Sequence, residues 1–128
     1  MSLRTPLGRV RGLGSAKGGT EHWWAQRLTA VALVPLTFLF VALVFAFVAL
    51  GDDHARAAAL MGNPLVAIVM LLFIVAGFYH MKLGMQVVIE DYIHHEGIKT
   101  ASVLLVLLGS FALGTACVLA VLKLAFRG

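Results

Sequence analysis

Charge is scarce in this 128-residue chain, and cysteine is scarcer still. Only 12% of the residues are charged and 61% are hydrophobic, and the apolar ones come in long blocks rather than alternating with polar ones. A soluble domain of this length interleaves the two kinds, so the composition places the chain among membrane proteins. The single cysteine, Cys117, lies inside an apolar block. One thiol forms no intrachain disulfide and holds no iron–sulfur cluster, which needs several. Acids are missing from the first twenty residues, where Arg4, Arg9, Arg11 and Lys17 all precede Glu21. No folded nucleic-acid reader accompanies that basic segment, so nucleic acid is not an expected partner. Anionic membrane lipid, or retention on the cytoplasmic side, accounts for it better. No apolar core follows the basic residues, which argues against a secretory signal, and poor amphipathicity favours a cytoplasmic tail over a transit peptide. The glycines of "GLGSAKGG" (12–19) miss the dinucleotide-loop spacing, because Lys17 stands where the third glycine belongs.

The expected fold is an all-α membrane protein with three transmembrane helices. Residues 1–19 read as a basic tail and 20–128 as one membrane domain. Thr20 is a candidate helix cap, with Glu21 in the first turn. Trp23 and Trp24 suit the headgroup layer. Residues 28–50 are uncharged and apolar, long enough for a span of about 20 residues; Pro35 within them can kink the helix. Residues 51–61 read as a loop. Asn63-Pro64 marks a restart, a capping residue followed by proline at the first helical position. The second span covers about 65–89, "EDYIHHEGIK" (90–99) reads as a loop, and the third span covers about 101–125. Ala112, Ala116 and Ala120 form a small-residue stripe expected to serve helix packing. By the positive-inside rule the N-terminus faces the cytoplasm and the C-terminus the opposite side.

The second span carries the chemistry. With His80 set at zero on a helical wheel, Gly77 falls at about +60°, Gly84 at about +40° and Asp91 at about +20°. Lys82 falls at about 200°, on the opposite face, from which it can snorkel toward headgroups. Two glycines beside one imidazole clear space for a flat ligand such as a porphyrin standing on an axial histidine. A histidine hydrogen-bonded to a neighbouring helix and a proton relay both fit the same spacing. If the ligand is a haem held by two histidines, the second must come from another chain. His22, His94 and His95 fall at the membrane border, and His54 lies in a loop. Asp91-Tyr92 lies about 17–18 Å along the helix from His80, at the inner interface. There a carboxylate and a phenol can hydrogen-bond a lipid-soluble carbonyl compound.

The segment "HMKLGMQVVIEDY" (80–92) resembles the H-x(3)-G-x-Q-x(4)-D-Y segment of the hydrophobic membrane-anchor subunit of succinate dehydrogenase, respiratory complex II. "GSAKGGTEHWWAQRLTA" (14–30) resembles the N-terminal segment of bacterial members. The resemblance implies three helices packed with the three of a partner, the cytochrome b anchor, in a complex with an iron–sulfur subunit and a flavoprotein subunit that oxidises succinate. It implies a haem b shared between the two anchors and a ubiquinone site, in a bacterial inner membrane with the C-terminus periplasmic. Residue by residue, it makes His80 the axial haem ligand and Tyr92 the quinone's hydrogen-bond donor, with Asp91 its acidic neighbour. It sets Arg27 near a haem propionate. His94-His95 matches no motif of the family. Two other readings remain open on the residues: a small proton- or ion-translocating protein using His80, Asp91 and Lys82, and a packing subunit without a cofactor. A transporter is expected to carry charges in several spans, and here only the second does.

Overall fold

A computed structural model describes residues 5–7 and 17–127; most of the basic tail expected at 1–19 lies outside the described residues. Four helices follow in order: α1 (Lys17–Leu50), α2 (His54–Gly62), α3 (Pro64–Tyr92) and α4 (Glu96–Arg127). Three segments, Gly19–Leu50, Pro64–Tyr92 and Glu96–Phe126, are long and apolar enough to cross a membrane.

Each spanning helix outruns its apolar block. α1 starts at Lys17, so Thr20 and Glu21 lie within it and not at its cap. In hydrocarbon or at its edge an unpaired backbone group costs several kcal/mol, more than the roughly 1 kcal/mol per residue that Gly18 and Gly19 cost a helix. α1 also runs through Pro35 without a break. It ends where Gly51 adopts φ +66°, a left-handed conformation that suits glycine. The expected 51–61 loop is mostly the short helix α2. Asp53 caps it by accepting from the Arg56 N–H at 3.1 Å, and Ala57, Ala58 and Ala59 propagate it. The expected 90–99 loop shrinks to Ile93–His95. α3 continues through Glu90, Asp91 and Tyr92, and α4 begins at Glu96.

His95 stands at the cap position of α4. Its Nδ1 accepts the Ile98 N–H at 3.3 Å, and its carbonyl accepts the Lys99 N–H at 2.9 Å. A Cβ on Gly97 would come within 3.2 Å of that imidazole, so glycine leaves the ring its place. The pair His94-His95, unassigned by motif, thus includes a structural cap. The restart at Asn63-Pro64 forms as expected, with Asn63 Oδ1 accepting the Leu65 N–H at 2.9 Å.

The helices make an open layer with α3 in the middle. α3 runs antiparallel to α1, with Phe40 and Phe73 stacked at 4.5 Å, and antiparallel to α4, where Phe78 packs against Gly114. Among the described residues α1 and α4 do not pack on each other. A small apolar core of Met61, Ala67 and Val121 closes the end where α2 folds over, with Phe47, Met70 and Ala125 around it. No residue in the most apolar stretch of α1 is buried, and Phe38, Phe45 and Val48 are about 70% exposed or more. The Ala112–Ala116–Ala120 stripe is not the face that α4 turns to α3. All three alanines are exposed, while Ser110, Gly114 and Val121 face the partner helix. Phe78 packs on that face, its ring 3.5 Å from where a Cβ on Gly114 would sit, an ordinary contact.

Asn63→Ala removes the cap of α3 and is expected to lower stability by about 0.5–2 kcal/mol, with Asn63→Asp restoring most of it. Unfolding of the chain in mixed detergent micelles measures the difference.

Candidate functional site

The antiparallel pairing of α1 and α3 sets Thr29 opposite His80. The Thr29 Oγ1 and His80 Nδ1 atoms are 2.9 Å apart, across 51 residues of sequence. Both side chains are half-buried. Thr29 Oγ1 is also 2.8 Å from the Ala25 carbonyl oxygen and 3.1 Å from that of Gln26, so its hydroxyl donates back to its own helix. A polar pair in an apolar layer is thereby tied to the backbone of one helix and the imidazole of another.

Beside His80, on the same stripe of α3, a Cβ on Gly77 or Gly84 would meet nothing within 4 Å. These glycines are not packing against another helix of this chain. They leave an open lane about 10 Å long at 1.5 Å per residue, centred near the histidine. No group of three His, Cys, Asp or Glu comes together among the described residues.

The other expected residues are distributed as follows. Asp91 and Tyr92 end α3, about 17–18 Å along the helix from His80. They belong to the last helical turn, not to a loop. Tyr92 is 79% exposed, and no hydrogen bond joins the two side chains. One turn earlier the Gln86 amide donates to Glu90 Oε1 at 2.9 Å. Arg27 precedes Thr29 by two residues, about 200° around α1, and its guanidinium lies 5.3 Å from the Trp23 ring centroid. It is therefore turned away from the Thr29–His80 contact.

Lys82 faces away from His80, as the wheel requires. It lines an apolar groove of about 420 Å³ between α3 and α4, with Phe78, Tyr79, Ser110 and Phe111. Its ammonium sits 5.4 Å from the Tyr79 ring centroid, one turn back toward the start of α3. That distance allows a cation–π attraction between the two side chains.

The sequence pattern of the succinate dehydrogenase/fumarate reductase transmembrane subunit family matches residues 1–121. The chain belongs to this family. It is 37% identical over 109 residues to the succinate dehydrogenase hydrophobic membrane anchor subunit of Paracoccus denitrificans, covering 85% of this chain and 83% of that one. To the protein of that name in Rickettsia bellii it is 35% identical over 119 residues, covering 93% and 94%. To the succinate dehydrogenase membrane anchor subunit of Reclinomonas americana it is 29% identical, covering 70% and 76%. No solved structure matches it.

Membership in a transmembrane-subunit family, together with three long apolar helices, makes this a multi-pass membrane protein. The reading of the sequence passed over Thr29. Its signal is a hydroxyl in an apolar run that holds only one other, Thr37, and it follows immediately after the Arg27-Leu28 dipeptide of the family-like segment. In hydrocarbon such a hydroxyl must find acceptors.

The glycines separate into two kinds, and substitution distinguishes them. Gly114→Leu drives a side chain into Phe78 and is expected to destabilise the α3–α4 pair by about 1–3 kcal/mol. Gly84→Leu meets nothing in this chain and is expected to leave its unfolding in micelles unchanged.

Proposed function

We propose that this chain is a membrane-anchor subunit of a succinate:ubiquinone oxidoreductase. In this reading it gives His80 to a haem b shared with a second anchor, the cytochrome b subunit. It gives Tyr92 and Asp91 to the site where ubiquinone is reduced. The observation that carries the proposal is the state of His80: one ring nitrogen bonded to Thr29, with the open glycine lane on the same face of α3. Family membership supplies the biological setting.

Bound there, haem b would supply a one-electron centre. The work of this chain's own residues is to bind and orient. His80 would give a ring nitrogen to the iron. Gly77 and Gly84 would keep side-chain bulk away from the macrocycle. Arg27 stands about 3 Å nearer the N-terminal end of α1 than Thr29, toward the polar boundary that propionates seek. Reaching one requires its guanidinium to leave Trp23. At the end of α3 the Tyr92 hydroxyl donates to a quinone carbonyl, and Asp91 holds a carboxylate beside the protons that quinone reduction consumes.

The succinate chemistry belongs to partner subunits. With one cysteine, this chain cannot hold the iron–sulfur relay, and a three-residue loop between α3 and α4 leaves no room for a flavin site. The flavoprotein and iron–sulfur subunits would dock at the Tyr92 end, on the cytoplasmic face of a bacterial inner membrane. The N-terminus then lies inside and the C-terminus in the periplasm.

Two substitutions test the two halves. His80→Ala is expected to strip haem from the purified complex while the chain still inserts. Unchanged low-spin absorbance and haem stoichiometry would refute the ligand assignment. Tyr92→Phe removes one hydroxyl and keeps the ring. Quinone reduction is expected to weaken by the loss of one hydrogen bond, about 1–3 kcal/mol, while succinate oxidation with an acceptor acting at the flavin continues. Equal loss of both activities would point to assembly and end the quinone assignment.

A further inference from the structure

We infer that Thr29 is the positioning residue for His80, fixing the imidazole as the tautomer that carries its proton on Nδ1 and leaves the Nε2 lone pair free. The ligand that uses this lone pair rests on the haem reading above. The tautomer itself rests on geometry within this chain.

A threonine hydroxyl has one proton and two lone pairs. Three atoms surround Thr29 Oγ1 at hydrogen-bonding distance: the Ala25 oxygen at 2.8 Å, the Gln26 oxygen at 3.1 Å and His80 Nδ1 at 2.9 Å. The two carbonyl oxygens have no proton to offer. If the hydroxyl proton pointed at His80, two oxygens would face each other at 2.8 Å, lone pair against lone pair. The proton therefore lies toward the Ala25 and Gln26 carbonyls, shared between them. His80 must then bring its own, and Nδ1–H donates to Thr29 Oγ1.

This has two consequences for the ring. In the neutral ring that arrangement leaves the lone pair on Nε2, the form in which imidazole binds a metal. The ring plane is held by a hydroxyl that is itself fixed to α1, so Nε2 is aimed by the α1–α3 pairing. A donated Nδ1–H also raises the basicity of the ligating nitrogen, as a partner to a metal-bound histidine generally does. The hydroxyl's own donation to backbone polarises it further as an acceptor. His95 shows the opposite arrangement in the same chain: its Nδ1 accepts an N–H from the start of α4, so its proton sits on Nε2.

Thr29→Val keeps the shape and removes the hydroxyl; Thr29→Ser keeps the hydroxyl and removes the methyl. In the purified complex, Thr29→Val is expected to weaken haem retention about 10- to 100-fold. The haem midpoint potential should rise, because a less basic ligand favours the ferric state less. The g values of the low-spin signal should change as the ring loses its fixed plane, and Thr29→Ser should restore all three. A purely structural role for the threonine would follow side-chain shape, so valine would substitute well and serine poorly; that pattern overturns the inference. A second measurement does not depend on haem. Nitrogen-15 solid-state NMR of the full chain in lipid bilayers, labelled at histidine and assigned by difference with His80→Gln, reports which ring nitrogen carries the proton. The expected result is a proton on Nδ1 of His80 in the wild type and loss of that preference in Thr29→Val. A proton on Nε2 in the wild type, or no change in Thr29→Val, overturns it. A complex devoid of haem beside an Nδ1-protonated His80 would remove the haem reading while supporting the tautomer.

Discussion

An imidazole in hydrocarbon has two nitrogens to satisfy, and this chain satisfies one. Leaving a buried polar atom without a partner costs on the order of 1–3 kcal/mol, so intramembrane histidines seldom exist without a reason. Thr29 answers for Nδ1. No other hydrogen bond of His80 is formed among the described residues, and Gly77 and Gly84 on the same face of α3 leave open space. The pairing of α1 with α3, the placement of Gly77 and Gly84, and the proposed haem all depend on that half-satisfied ring.

The same incompleteness appears in the packing. α3 has neighbours on two sides, but no residue in the most apolar stretch of α1 is buried, and among the described residues α1 does not reach α4. Only six side chains are buried among the described residues: Met61, Ala67, Leu83, Ile89, Val121 and Ser110. Lipid can cover apolar surface at little cost, so exposure alone calls for no partner. The proposed haem site on the central helix is different, because it would need a second ligand from another chain, and the chain belongs to a family of transmembrane subunits. The position of Tyr92, exposed at the end of α3, leaves that residue free for a ligand or partner surface.

Much of this was legible in the sequence, for identifiable reasons. The three spans followed from uninterrupted apolar blocks, and Asn63-Pro64 gave the start of α3 because a cap and an N1 proline act within two residues. His80 and its glycines share a face by helical arithmetic alone. The errors came where hydropathy stood in for backbone propensity. Helix α2 was taken for a loop because Asp52, Asp53 and His54 look like a break, although Asp53 is a good cap and alanines follow it. The ends of α3 and α4 were cut short for the same reason. Thr29 was missed because its partner lies 51 residues away and no local pattern records that register. Gly114 was not legible because Phe78, which packs against it, sits on another helix, whereas the regular alanine spacing nearby suggests a packing face that α4 does not turn to α3.

The most direct test of the account is a cryo-electron microscopy structure of the complex purified through this chain. The account predicts density for a flat macrocycle in the lane of Gly77 and Gly84, its iron bonded to His80 Nε2, with a histidine of another subunit on the opposite side and Thr29 still within hydrogen-bonding distance of Nδ1. His80 Nε2 bonded instead to a side chain of a neighbouring helix, with no macrocycle between the subunits, would contradict it.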